Sequence, residues 1–291
     1  MLPEFTAEEF AAALDRVAAE VLASAACHEP PVDALEVARR IGLEVAYDSR
    51  QPSRARIVSL AGHGDHAPHD SILLRPDPRP ERRQWAVAHE IGEHMAYQVF
   101  AALGASGAEA PPTAREGVAN HLAGRLLLPS DWFGRDATAC DWDLLELKRR
   151  YATASHELIA RRMLDFEPWI VITIFDNDRL TFRRSNRFRR RPELSPDERE
   201  CRRHVTAARR PCWLERQGCR ISAWPVYEPD WRREILRTWY DEAALEDMAM
   251  AAADDLPAFD DTADEMSNND GTSGSAIVDE AAVGDAGRDW S

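Results

Sequence analysis

The chain has 291 residues, 44% of them hydrophobic, which is enough for one large domain or two modest ones around a genuine core. Its net charge of −15 is local: residues 241–291 carry 15 acids and one base, Arg288, while the 36 acids and 35 bases of residues 1–240 nearly cancel. A body so close to neutral argues against capture of nucleic acid or cationic partners by bulk charge, and the densest apolar run, Trp169–Phe175, is far too short to cross a bilayer.

In chain order, Phe5 to Ala25 reads as an amphipathic helix with Phe10, Leu14, Val17, Val21 and Leu22 at three- and four-residue steps. After Pro30-Pro31, residues 32–41 make a second helix that Gly42 ends. Short strands are expected at 43–47, 56–60 and 71–74, with His63, His66 and His69 in the intervening loop. Asp77, Pro78 and Pro80 suit the start of a long helix reaching about Leu103, and a further helix runs from Ala114 to Leu128, stopped by Pro129. Two more helices follow at 144–151 and 155–164, the second capped by Thr153 or Ser155. At Trp169 the pattern changes to β, with a hairpin of 169–175 and 180–182 around Asp176-Asn-Asp178. A short helix from Pro196, a strand near 221–227 and a helix over 232–240 complete a smaller unit. Beyond Asp241 small and acidic residues dominate, which predicts disorder.

The acidic start, Met1 to Glu9, is unlike a secretory leader. Five scattered cysteines point to reduced thiols and not to a disulfide framework. Together they predict a cytoplasmic protein without a membrane partner.

The chemistry concentrates in Ala86-Val-Ala-His-Glu-Ile-Gly-Glu-His-Met95, which departs from the zinc-hydrolase motif H-E-x-x-H by one position. A helix advances about 100° per residue, so His89 and Glu93 lie about 40° apart, whereas His94 lies about 140° from His89. Regular geometry therefore selects His89 and Glu93 as metal ligands; His94 joins them only through a π-bulge, and otherwise supports a ligand or is solvated. Glu90 stands where a water-activating base belongs. Glu116, at the start of the next helix, is the candidate third ligand, with a rival role in a Thr113-x-x-Glu116 capping box. One imidazole and two carboxylates suit Zn²⁺ and tolerate Mn²⁺ or Fe²⁺.

His89-Glu-Ile-Gly92, Glu116-x-x-Ala119-Asn120-x-x-Ala123 and Leu126-Leu-Leu-Pro129 resemble the ImmA/IrrE family of zinc-dependent metallopeptidases. So do the approach over 31–42, the Arg82-Arg-Gln-Trp-Ala-Val-Ala88 lead-in and the trailing segments at 151–155 and 162–164; the likeness covers roughly residues 30–165. It implies a compact zincin-like α+β metallopeptidase domain, here 1–165; the residue pattern beyond it adds a small α+β unit over 166–240 and a disordered acidic tail over 241–291, so the fold class is α+β. It further implies regulatory proteolysis of a protein substrate such as a helix-turn-helix repressor. The family usually has histidine where this chain has Glu93. The alternative is a catalytically impaired domain acting as a protein-binding regulatory module.

Other clusters read more blandly. His121 is a packed histidine, and the His63/His66/His69 loop is a surface loop. Cys201-x-x-His204 with Cys212 and Cys219 has poor spacing for zinc. The basic run Arg183–Arg191 lacks a recognition motif, so direct nucleic-acid binding is not expected; it reads as a solvated loop or a dock for the acidic tail.

Overall fold

The computed structural model describes residues 5–60, 69–108, 110–166, 168–187, 193–216 and 218–244. The chain divides into two compact units, Met1–Asp260 and Asp261–Ser291, and the second lies wholly outside the described residues. His63, His66 and residues 245–291, the bulk of the expected acidic tail, lie outside them too.

The first unit is α+β. Helix α1 (Ala7–Ser24) opens with a capping box in which Thr6 and Glu9 satisfy each other's backbone N–H groups, and it buries Leu14, Val17, Val21 and Leu22. Helix α2 (Ala34–Arg40) is capped by Asp33 and stops before Gly42, whose φ of 90° is open to glycine at little cost. Strands β1 (Glu44–Tyr47), β2 (Ala55–Leu60) and β3 (His69–Leu74) form a sheet in the order β1-β3-β2, the first pair parallel and the second antiparallel. His69 thus begins a strand, where the sequence predicts loop.

Helix α3 (Pro80–Ala102) carries the motif and packs against this sheet, α1, α2 and α4 (Pro112–Leu127). The α3–α4 contact is unusually close. A Cβ on Gly92 would sit 2.6 Å from the carbonyl oxygen of Ala119, so only glycine facing a small residue permits this crossing. Helix α4 starts at Pro112 without a side-chain cap, so the Thr113–Glu116 capping box does not form and Glu116 is released to face α3. Proline at the first helical position needs no N–H partner, which makes the box dispensable.

Helix α5 (Ser130–Ala139) was not expected from the sequence; its buried stripe is only Phe133, Asp136 and Ala137, too short to stand out in an apolar count. Helices α6 (Leu144–Arg150) and α7 (His156–Arg162) are capped by Asp143 and Ser155, and a 3-10 turn over Met163–Asp165 follows.

The remainder is a five-stranded antiparallel sheet, order β5-β4-β8-β7-β6, with α8 (Pro196–Ala208) on one face. Its strands are β4 (Ile170–Asp176), β5 (Arg179–Ser185), β6 (Cys212–Arg216), β7 (Cys219–Glu228) and β8 (Trp231–Tyr240). Asn177 and Asp178 take positive φ in the β4–β5 turn, as a tight hairpin demands. Two-residue alternation splits β4. Ile170, Ile172 and Ile174 join the main core with Trp224 and Ile235, while Phe175 faces α8 with Ile221, Ala223 and Leu236. The main core therefore runs continuously from α1 into this sheet. Among the described residues no helix is long and apolar enough to cross a membrane.

Two expectations fail here. Residues 232–240 form the central strand β8 and not a helix, paired along its length with β4 and β7. A strand buried on both faces loses the polar–apolar alternation that identifies strands, and Ile235, Leu236 and Trp239 then mimic a helical stripe. Nor is Arg183 solvated. It is 3% exposed and pairs with the fully buried Glu198 through two hydrogen bonds of 3.1 and 2.8 Å. Thr238 Oγ1 and the Ser195 N–H complete the Glu198 carboxylate at 2.6 and 2.8 Å. Arg187 lies over the Trp169 ring at 4.1 Å, and residues 188–191 fall outside the described set.

Two stability measurements follow. Gly92→Ala gains about 1 kcal/mol of helix propensity but incurs about 1–3 kcal/mol of overpacking against backbone, so urea unfolding shows a net loss. Arg183→Ala strands the Glu198 charge and costs about 3–5 kcal/mol in the same assay.

Candidate metal centre

The close α3–α4 crossing brings His89 and Glu116 together: Nε2 of the imidazole stands 3.5 Å from Glu116 Oε2. The other ring nitrogen, Nδ1, is 3.0 Å from Asn120 Oδ1. An N–H at Nδ1 donating to Asn120 leaves Nε2 with its lone pair turned toward Glu116. Asn120 in turn donates from Nδ2 to Glu116 Oε1 at 3.1 Å, so one amide fixes both the imidazole and the carboxylate. Four residues separate Glu116 from Asn120, which places them on one face of α4. The sequence reading assigned Asn120 no role of its own, although that spacing marks it.

On α3, His89, Glu90 and Glu93 each offer a ligand atom, and the three atoms lie within 4.8 Å of one another. It is the group of this kind found among the described residues. α3 is regular α-helix throughout, and His94 points elsewhere, with Nδ1 3.7 Å from Asp70 Oδ2 on β3. Asp70 also accepts the Ser59 hydroxyl at 2.5 Å.

Glu90 is 5% exposed, and its Oε2 is buried without a hydrogen-bond partner. Burial, reinforced by the nearby charges of Glu93 and Glu116, raises its pKa to about 7, against the pull of the Ile57 backbone N–H on β2. Glu93 and Glu116 are exposed, so the group opens to solvent on one side. Glu116 is not part of the group of three on α3, though its charge acts on Glu90 as that of Glu93 does; a divalent cation, like a proton on Glu90, relieves such repulsion. Donor set and the orphaned oxygen both fit such a cation.

Among the described residues the cysteine cluster brings Cys201 and Cys212 together without its histidine, and the His63/His66/His69 loop lies largely outside them. Cys201 is buried with its thiol 3.9 Å from the Cys212 carbonyl, while His204 on the same helix is exposed. His121 packs edge-on against Phe10, ring centroids 5.6 Å apart.

Neither a protein-family profile nor a curated protein matches the chain. Among solved structures it is similar to a Mycobacterium tuberculosis transcriptional regulator, at 18% identity and a TM-score of 0.55, over 82% of this chain and 78% of the other. At that identity the likeness shows a shared fold.

The raised pKa of Glu90 has a measurable sign. A carboxyl shifted above its ordinary range adds most stability when both states are protonated, and that contribution is lost as pH rises through about 7. In metal-free protein, Glu90→Gln removes this loss, so urea titrations show the variant's advantage growing from about pH 5 to about pH 8.

Proposed function

We propose that the chain is a metal-dependent peptidase of the ImmA/IrrE type, with a zincin-like domain that cleaves one regulatory protein such as a repressor. The carrying observation is the buried, unpartnered Glu90 Oε2 beside His89 and Glu93, with Glu116 3.5 Å from the same imidazole. His89, Glu93 and Glu116 would hold Zn²⁺, with Mn²⁺ or Fe²⁺ accepted by the oxygen-rich set. When bound, the cation supplies Lewis acidity toward the scissile carbonyl and toward water.

The chain's own residues then have defined tasks. Asn120 holds the His89 ring in one tautomer and orientation. Glu90 takes a proton from water and passes it to the leaving amide nitrogen. A buried carboxyl, poised close to neutrality, serves both halves of that transfer. A cation balanced by two carboxylates polarises water less than a two-histidine site does, which fits a slow, partner-specific cut and not general digestion. The motif helix packed beneath a small mixed sheet supports the zincin-like reading, and the fold shared with a transcriptional regulator supports a regulatory setting. That same likeness favours the second reading, a non-catalytic regulatory module that binds its partner intact.

Elemental analysis of the purified protein and incubation with the product of the adjacent gene test the two readings. The peptidase reading expects about one divalent ion per chain and a single discrete cut by mass spectrometry. Glu90→Gln then keeps the metal and abolishes the cut, while Asn120→Ala weakens metal affinity by about 10–100-fold. Stoichiometric binding with no cut supports the module, and equal cutting by Glu90→Gln rules out the assigned base.

A further inference from the structure

A second group of chemistry-bearing side chains lies on the five-stranded sheet and shares no residue with the metal centre. Register sets Trp213 on β6 opposite Ser222 on β7, and Ser222 opposite Arg237 on β8. Arg220 and Trp224 flank Ser222 at two-residue steps, so all five side chains project from one face of the sheet. They line a cleft of about 200 Å³ closed by the Cys140–Asp143 turn between α5 and α6.

Arg237 is what needs explaining. It is 5% exposed, its Nε is buried without a partner, and no ion pair or hydrogen bond reaches its guanidinium among the described residues. Its cation rests on the Trp142 ring at 5.5 Å. Burial lowers its pKa to about 10, with Asp141 giving partial relief and Arg220 opposing, so it stays protonated at neutral pH. A buried cation with no carboxylate in direct contact is costly, by contrast with Arg183, which has Glu198.

We propose that this cleft is a binding site for a small organic carboxylate, with Arg237 as its buried counter-ion and Arg220 at its rim. A carboxylate matches the guanidinium fork with two parallel hydrogen bonds. Arg220 lies over the Trp239 ring at 5.9 Å and pairs with Asp141, 3.1 Å away, whose side chain is 80% exposed and can swing aside at little cost. Asp141 and Asp143 both border the cleft, so a doubly charged phosphate meets about twice the repulsion that a monocarboxylate does. The indole of Trp213, which is 61% exposed, gives an apolar substituent one flat surface, and Trp224, 2% exposed, borders the cleft from the core. Trp224 is anchored through its Nε1–H to Asp143 at 3.2 Å, which fixes that wall of the cleft. The Ser222 hydroxyl stands beside Arg237 as an additional donor.

Sodium benzoate is the probe, with inorganic phosphate at matched ionic strength as the control, on the full chain. Benzoate is expected to quench tryptophan emission saturably and to raise the thermal midpoint by roughly 5 °C at a hundredfold excess over its dissociation constant. Arg237→Met, which keeps volume and removes the charge, loses both responses while its unliganded midpoint equals or exceeds that of the parent. Arg220→Met, at the exposed rim, weakens binding by about tenfold or more and settles the matter if the first variant does not fold. No benzoate response, an equal response to phosphate, or undiminished binding in Arg220→Met or a folded Arg237→Met overturns the assignment.

Discussion

Everything at the proposed metal centre depends on two helices meeting backbone to backbone. Gly92 on α3 faces the Ala119 carbonyl on α4 so closely that no side chain fits between them. With the helices at this separation, His89, one turn before Gly92, comes within 3.5 Å of Glu116, one turn before Ala119. A wider crossing moves the imidazole and that carboxylate apart, and Asn120 can then no longer bridge them. The packing constraint and the chemistry are therefore one geometric fact: the small residues are there so that the large polar ones converge.

The convergence is electrostatically unfavourable unless a proton on Glu90 or a cation offsets it. Glu90 is shut away from water with one oxygen unpartnered, and Glu93 and Glu116 add negative charge around it. Proteins seldom keep such a group for stability alone, because a well-packed apolar residue would serve better there. Arg183 and Glu198 show the contrast. That pair is more deeply buried, yet every oxygen of Glu198 has a donor, which marks it as structural.

The N-terminal half could be read closely from sequence because its helices are amphipathic, clearly capped and separated by proline or glycine. The same periodicity put Glu93, and not His94, on the His89 face, and the regular α3 keeps them so. Glu116 carried two sequence readings, and Pro112 decides between them by starting the helix without a side-chain cap. The C-terminal half resisted. β8 lies between two strands with both faces covered, so Glu234 and Thr238 are buried polar residues whose partners, Tyr227 on β7 and Glu198 on α8, are remote in sequence or on another element, and Arg237 is buried with no hydrogen bond or ion pair among the described residues. No local pattern reports such partners, and a charged, apolar-rich stretch then passes for a surface helix. Arg183 was misread for the same reason, since Glu198 lies 15 residues away. β6 and α5 are short elements whose stripes are defined only by what packs on them.

The most direct measurement is the position of a metal in crystals of the protein, located by anomalous scattering at the zinc edge. The account predicts one strong peak between the His89 imidazole and the Glu93 and Glu116 carboxylates, with Glu90 near it but not coordinating. A peak at His94 and Asp70, or no peak between α3 and α4 in crystals soaked with zinc, contradicts it.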